Sequence, residues 1–578
     1  MSDIKMLNIL LLTNRDSDNA GDQVIETCDI SLISTVMRNL DIKDGNYIIN
    51  SRAAGMITKK YLETRDEELL KPAEETIKNS DIIIFGGAPL FNYKYQLFSE
   101  RTAITLEIAQ KYNKPVIFSA IGVEGYDEGN EKCQRLKKTL NFDCVKQITT
   151  RDDLESLKKF IDNEQIAIGR VSDPAVFVSK VFENFISKKE EKKKIGIFIL
   201  RANGFKDNGV DFSREDAAEL WGKTICELED RGYDYELLTS GHFGDEAFLD
   251  LLVKKYDFAL DKCVFNINSP ERLVQKISGY DAVVTCRLHP SIISFALGVP
   301  SLGIVWNSKV RYFYDSIGYG DRGMVVDGIS PEKIAEKIDQ IAEQKMEKDE
   351  GYITSIYNYL FNTMKKILVS EDSGIEPYSY GELMEQMPVF GGTSAHEMEE
   401  KLKKKFRRAY GAYNDLFEKK LENTRLINEL TCKCIGYTLI YNGGVKSDKL
   451  AWKYDGSKGE LKRLETDSVE YKMDKPVLNS GQSRAMKNQF EYPEYAFLGW
   501  RMRVKNDEKW YWYMEDRTYK PMKEYVKGKG KERFLLKDCA KIPHIPAKHI
   551  SVVVLEAVWE PKVTTKVMRR INKFRGQK

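Results

Sequence analysis

DAVVTCRLHPSIISFALGVPSLGIVWNSK, residues 281–309, is the stretch that decides the fold. Asp281 to Cys286 is a short apolar run of the kind that forms a buried strand. His289 and Pro290 open a helix, since proline is tolerated in a first turn. Ser291 to Leu297 continues that helix and Gly298 stops it. Pro300 to Trp306 is a second short apolar strand, and Lys309 follows it. Strand, helix and strand in this order make a parallel pair, and open α/β sheets bind ligands beyond the carboxyl ends of such strands. Arg287, His289 and Lys309 are therefore expected to converge there. Positive charge and a titratable imidazole at a helix start suit an anionic, phosphorylated ligand.

The same alternation runs outward in both directions. Leu7 to Thr13, Asp81 to Phe85, Pro115 to Ala120 and Gln147 to Thr150 read as strands, with helical patterns such as Ala103 to Tyr112 between them. This is the pattern of a doubly wound parallel sheet. The charge run Lys188 to Lys194 reads as a solvated linker. A second alternation begins at Ile195, with Ser213 and Asp216 placed as a helix cap and Ser269-Pro270 opening another helix. His242 and Asp245, after the strand Tyr235 to Thr239, are weaker candidates for the cleft, because Gly241 to Gly244 also reads as an exposed turn.

Several short motifs stand in order along this region: Asn19-Ala20-Gly21-Asp22 after the first strand, Gly86-Gly87, Ile121-Gly122-Val123, Arg151-Asp152, Asp173-Pro174, and the Arg287-Leu288-His289-Pro290 segment with Gly298-Val299-Pro300 and Lys309. The ordered set resembles the polysaccharide pyruvyl transferase family over roughly residues 5–370. The resemblance implies two Rossmann-like parallel-sheet lobes of GT-B type, residues 1–187 on the acceptor side and 195–372 on the donor side. It also implies a long helix, from about Tyr352 to Leu368, packing back across the pair. The reaction implied is transfer of the enolpyruvate unit of phosphoenolpyruvate onto two hydroxyls of a saccharide, leaving a ketal and phosphate, in cell-surface or capsular polysaccharide biosynthesis. Donor contacts are then expected from Arg151, Arg287, Leu288 and Lys309, and acid–base work from His289 beside Arg287. Acceptor contacts are expected from Asn19, Gly21, Asp22, Gly86 and Gly87. Capping and tight turns explain the last five equally well from the residues alone. Two other readings stand beside this one: a GT-B glycosyltransferase using a nucleotide sugar, and a non-catalytic saccharide-binding protein.

Composition narrows the class. A chain of 578 residues exceeds a single core. Its 90 basic and 88 acidic residues argue against a protein devoted to nucleic acid. The nine cysteines include no Cys-x-x-Cys pair, which fits a reducing cytoplasm. No metal-ligand spacing and no resident cofactor are expected. The N-terminus carries no signal-peptide pattern.

Past residue 372 the composition shifts. Residues 395–431 carry Met398, Leu402, Phe406, Tyr410, Tyr413, Phe417, Leu421 and Leu430 on a helical stripe, expected to be an amphipathic helical linker packed on the core. Residues 433–561 alternate in short runs and hold Trp452, Trp500, Trp510, Trp512 and Trp559, as expected of a small, mostly antiparallel β-domain. Those rings would fill its core or stack on sugars. The basic tail 562–578, with Val567, Ile571 and Phe574 at helical spacing, would hold the chain weakly at the inner membrane face, where a lipid-linked acceptor would be.

Overall fold

Ile9, Leu10, Leu11 and Leu12 are all completely buried. A strand covered by helices on both faces has no polar side, so its apolar run shows no alternation. The computed structural model describes residues 6–91, 98–189, 193–201, 203–369, 373–433, 436–453, 461–506, 508–515, 517–522, 533–545 and 550–563. In it β1 (Leu7–Thr13) lies second in a six-stranded parallel sheet with β2 (Tyr47–Ala53), β3 (Ile82–Gly86), β4 (Val116–Ile121), β5 (Val145–Thr150) and β6 (Ala167–Arg170), in the order β2-β1-β3-β4-β5-β6. A second six-stranded parallel sheet holds β7 (Lys194–Phe198), β8 (Asp234–Leu238), β9 (Cys263–Val264), β10 (Ala282–Thr285), β11 (Ser301–Val305) and β12 (Gly323–Val325), in the order β12-β11-β10-β7-β8-β9. Read from its first strand, the second order is 3-2-1-4-5-6, the Rossmann arrangement. Two doubly wound lobes facing one another make the GT-B-like fold expected from the sequence. β2 and β6 lie at the sheet's edges and lack long apolar runs, which is why the sequence pattern passes over them.

The lobes share one hydrophobic core. It includes Val24, Cys28 and Leu32 of the Ala20–Asn39 helix, Leu273 and Ile277 of the Pro270–Ser278 helix, Ile292 and Phe295 of the Leu288–Leu297 helix, and Ile356 and Leu360 of the Glu350–Leu368 helix. The Ala20 amide donates across the lobes to the Ser240 carbonyl at 2.7 Å. Within 195–372, the Glu350–Leu368 helix crosses back and serves the first lobe. The Ser172 hydroxyl donates to the Ile353 carbonyl at 2.9 Å, and Thr363 donates to Gln147 of β5 at 2.6 Å. The capping patterns read from sequence are present: Ser213 with Asp216 forms a reciprocal capping box, and Ser269 caps the helix starting at Pro270.

The chain forms two compact units, Met1–Ala409 and Tyr410–Lys578. The boundary falls within one 39-residue helix, Ala395–Lys433. Its first turns dock on the lobes through charge: Lys401 donates to Gln23, Lys404 to Asp16, Lys405 to Glu246 and Asn268, and Arg408 to Asp18. Of the apolar stripe's members in the first unit, Phe406 remains 56% exposed while Met398 and Leu402 are half-buried.

The second unit carries an eight-stranded sheet containing β13 (Thr438–Asn442), β15 (Leu461–Arg463), β16 (Glu470–Met473), β18 (Tyr495–Asn506), β19 (Lys509–Tyr513), β20 (Tyr519–Pro521), β21 (Leu535–Leu536) and β22 (Ile550–Pro561). β14 (Ala451–Trp452) and β17 (Phe490–Glu491) pair separately. Only β13 and β22 run parallel; the other pairings are antiparallel. Trp500, Met502, Val504, Val553 and Leu555 build its core on alternate positions. Trp452 stacks on Tyr471, with ring centres 4.2 Å apart. Trp512 is buried, with the guanidinium groups of Arg501 and Arg533 5.5 and 4.5 Å from its ring centre. These rings serve the domain's own packing. No helix among the described residues is long and apolar enough to cross a membrane. Val567, Ile571 and Phe574, the stripe in the basic tail, lie outside the described residues.

Candidate active site

The carboxyl ends of both sheets open on one cleft of about 910 Å³. Its wall takes Asn14 and Asp16 to Asn19 from the loop after β1, Arg151 from the end of β5, and Arg201, His242, Arg287 and Trp306 from the loops after β7, β8, β10 and β11. Asp22, Leu288, His289, Asn307 and Lys309 also line it.

His289 lies in the first turn of the Leu288–Leu297 helix, which Gly298 ends in the left-handed conformation at φ 72°. It is buried, 8% exposed, although it stands at a helix start. The reason is the helix of the opposite lobe. A Cβ on Gly21 would lie 2.3 Å from His289 Nδ1, so only glycine lets the two helix starts meet. Asn19 Oδ1 accepts from the Gly21 amide at 3.2 Å, which turns Asn19 Nδ2 toward His289 Nδ1 at 3.4 Å. With Nδ1 accepting, the neutral ring carries its proton on Nε2. That atom is buried and has no partner among the described residues. Gly21→Ala is expected to separate these helix starts, lowering turnover at least about tenfold through misplacement of the ring. A Gly21→Ala protein with unchanged turnover would show that this close approach does not matter.

Three cations surround the imidazole. Burial first, then Arg151, Arg287 and Lys309, hold its pKa well below the ordinary histidine value, so it is neutral at pH 7 in the unliganded protein. Each cation is held by a carboxylate. Arg287 is gripped in two-point fashion by Asp245, Nε to Oδ2 at 2.8 Å and Nη2 to Oδ1 at 2.6 Å, and lies 5.9 Å from the Trp306 ring centre. Arg151 pairs with Asp173, both buried, rather than with its neighbours Asp152 or Asp153, and its Nε has no partner among the described residues. Lys309 pairs with Glu124. A cation positioned in this way loses little entropy when an anion arrives. Arg287, Leu288, His289, Lys309 and Arg151 thus all reach one cleft.

The acceptor-side residues divide. Asn19 and Asp22 line the cleft. Asn14 Nδ2 donates to Asp22 at 3.1 Å, and burial pushes the Asp22 carboxyl up to about 6. Gly86 and Gly87 are absent from the wall. They allow β3 to pack on the Ala20–Asn39 helix: a Cβ on Gly86 would meet Asp29 Oδ2 at 2.2 Å, and one on Gly87, at φ +52°, would meet Ile25 Cγ2 at 2.3 Å. Gly21 likewise acts through packing.

Sequence reading missed four contributors: Glu124, Trp306, Arg101 and Arg408. Glu124 was within reach, two residues after the Gly122 motif at a strand end. Arg408 was hidden among the surface lysines of its helix. His242 and Asp245 prove more than an exposed turn. His242 caps the Phe243–Tyr256 helix, and Asp245 is fully buried beneath Arg287.

The family model of polysaccharide pyruvyl transferases matches residues 8–308. No curated protein matches the chain. Among solved structures, a UDP-GlcNAc 2-epimerase from Methanocaldococcus jannaschii in complex with UDP-GlcNAc and UDP is 13% identical, with a TM-score of 0.39, covering 61% of this chain and 98% of its own. A putative UDP-N-acetylglucosamine 2-epimerase from Listeria monocytogenes is 11% identical, with a TM-score of 0.41 and coverage of 64% and 99%. The E. coli ADP-heptose lps heptosyltransferase II is 12% identical, with a TM-score of 0.31 and coverage of 58% and 98%.

Proposed function

Starting from a chain that belongs to the polysaccharide pyruvyl transferase family, we propose that it transfers pyruvate from phosphoenolpyruvate onto two hydroxyls of a saccharide as a ketal, releasing phosphate. The observation that carries this reading is the convergence of Arg151, Arg287 and Lys309 on a buried neutral histidine. Phosphate and carboxylate of the donor meet the cations, Arg287 through the guanidinium edge that Asp245 leaves unused. The arriving negative charge raises the His289 pKa, and the imidazolium so formed can protonate the donor's methylene carbon. Asp22, with a pKa near neutrality and set in the acceptor wall, accepts the proton of the attacking hydroxyl. One hydroxyl proton thereby replaces the one delivered to the methylene. The second leaves with phosphate, whose developing charge the same cations stabilise. The setting we infer is cytoplasmic synthesis of a cell-surface polysaccharide.

Donor binding is therefore expected to take up a proton. The sign follows from the pKa directions: the free ring is neutral at pH 7 and the complex holds an extra proton, so affinity falls as pH rises through the pKa of the complex. Titration calorimetry with phosphoenolpyruvate in buffers of different ionisation enthalpy measures this uptake, and His289→Gln should lose it. Uptake that is equal in the two proteins, or no binding at all, would refute the reading.

A further inference from the structure

Among the described residues, one cation of the cleft has no counter-charge. Arg151, Arg201, Arg287, Lys309 and Arg408 are paired with Asp173, Asp207, Asp245, Glu124 and Asp18 respectively. Arg101, in the first turn of the Phe98–Lys111 helix, also lines the cleft. Among the described residues its guanidinium makes no hydrogen bond or ion pair, and its Nε is buried without a partner. Burial alone lowers its pKa, with no carboxylate acting on it. A half-buried cation without a partner is costly to keep, and a site that keeps one is complete only when an anion is bound. Gly55 leaves the approach open: a Cβ there would sit 3.0 Å from Arg101 Nη1.

This place lies toward the β2 edge of the first sheet, whereas Arg151 enters the cleft from the β5 side. Gly55 follows β2 and Arg151 follows β5, and β1, β3 and β4 lie between those strands. At ~4.8 Å per strand, the two loops are roughly 19 Å apart. A saccharide bearing a charged substituent is long enough to reach from the donor cations to this side of the cleft. Resting on the donor reading above, we propose that Arg101 forms a second anion subsite on the first lobe, which receives a phosphate group carried by the saccharide acceptor.

The test uses the full chain saturated with phosphoenolpyruvate and titrated with inorganic pyrophosphate, with galacturonate as the carboxylate counterpart. Pyrophosphate is expected to bind, and Arg101→Gln to weaken it at least about tenfold, the loss of one charge-assisted hydrogen-bonding group. Arg101→Lys should retain part of the affinity, and phosphoenolpyruvate affinity should be unchanged in both variants. Because no internal partner is lost, the melting temperature of Arg101→Gln should hold or rise. Pyrophosphate affinity unaltered by Arg101→Gln, or no pyrophosphate binding to the wild type, would overturn the subsite. So would an equal loss of phosphoenolpyruvate affinity, or a lowered melting temperature. Binding of galacturonate alone would overturn the phosphate assignment. If the wild type failed to bind phosphoenolpyruvate but bound pyrophosphate through Arg101, the donor reading would fall and the anion subsite would stand.

Discussion

His289→Gln is expected to lower turnover at least about 100-fold, the range typical of losing a positioned acid–base group. Glutamine keeps a polar side chain beside Asn19 but cannot titrate. Alanine would be a poorer test, because His289 is packed against Gly21 and truncation would leave a cavity between the two helix starts. Phosphoenolpyruvate should still bind His289→Gln, since Arg151, Arg287 and Lys309 remain in place. The pH dependence of turnover should lose the limb that belongs to the imidazole. A variant with near-normal turnover and an unchanged pH profile would remove His289 from the chemistry.

Asp245→Asn should act through Arg287. Asp245 is completely buried, grips the guanidinium at two points and also accepts from the Arg201 amide at 2.9 Å. Asparagine offers one acceptor and turns an N–H donor toward a donor, so the guanidinium loses its fixed direction. Half of a buried pair is left uncompensated, which costs about 3–5 kcal/mol and should appear as a lower melting temperature. Donor affinity should fall about 10- to 150-fold, equivalent to one or two misdirected charged hydrogen bonds. Arg287→Lys is the companion variant: it retains the charge without the fork and should weaken the donor while turnover at saturation suffers less. Equal donor affinity in all three proteins would make the Asp245–Arg287 pair a purely structural bridge between the loops after β8 and β10.

The lobes were legible because parallel strands write themselves as unbroken apolar runs, as in Leu7 to Thr13 and Asp281 to Cys286, and because helix stops such as Gly298 punctuate them. His289, Arg287 and Lys309 could be placed in one cleft on topology alone, since strand ends in a doubly wound sheet converge. The partners of those cations could not. Asp173, Asp245 and Glu124 reach the site from distant loops, and spacing along the chain carries no signal for a contact of that kind. The burial of His289 was hidden for the same reason: it is covered by a helix that begins at Ala20, far away in sequence. Gly86 and Gly87 misled because a glycine pair at a strand end serves close helix packing as readily as ligand approach. The contacts of the Ala395–Lys433 helix were hidden in the same way, since Lys404, Lys405 and Arg408 meet Asp16, Glu246 and Asp18 from far away in sequence.

The central claim is that the cations around His289 hold a donor whose pyruvyl unit leaves with cleavage of its bond to phosphate. The most direct measurement incubates the purified full-length protein with phosphoenolpyruvate and a panel of saccharides, in free, nucleotide-linked and lipid-linked forms. It follows free phosphate, together with the mass of the saccharide. The account predicts phosphate release that depends on the saccharide, in equal amount to a product heavier by one ketal-linked pyruvate and carrying a new carboxylate, and lost in His289→Gln. Release of a nucleoside diphosphate from a nucleotide sugar, with phosphoenolpyruvate left intact, would contradict it and make the chain a glycosyltransferase.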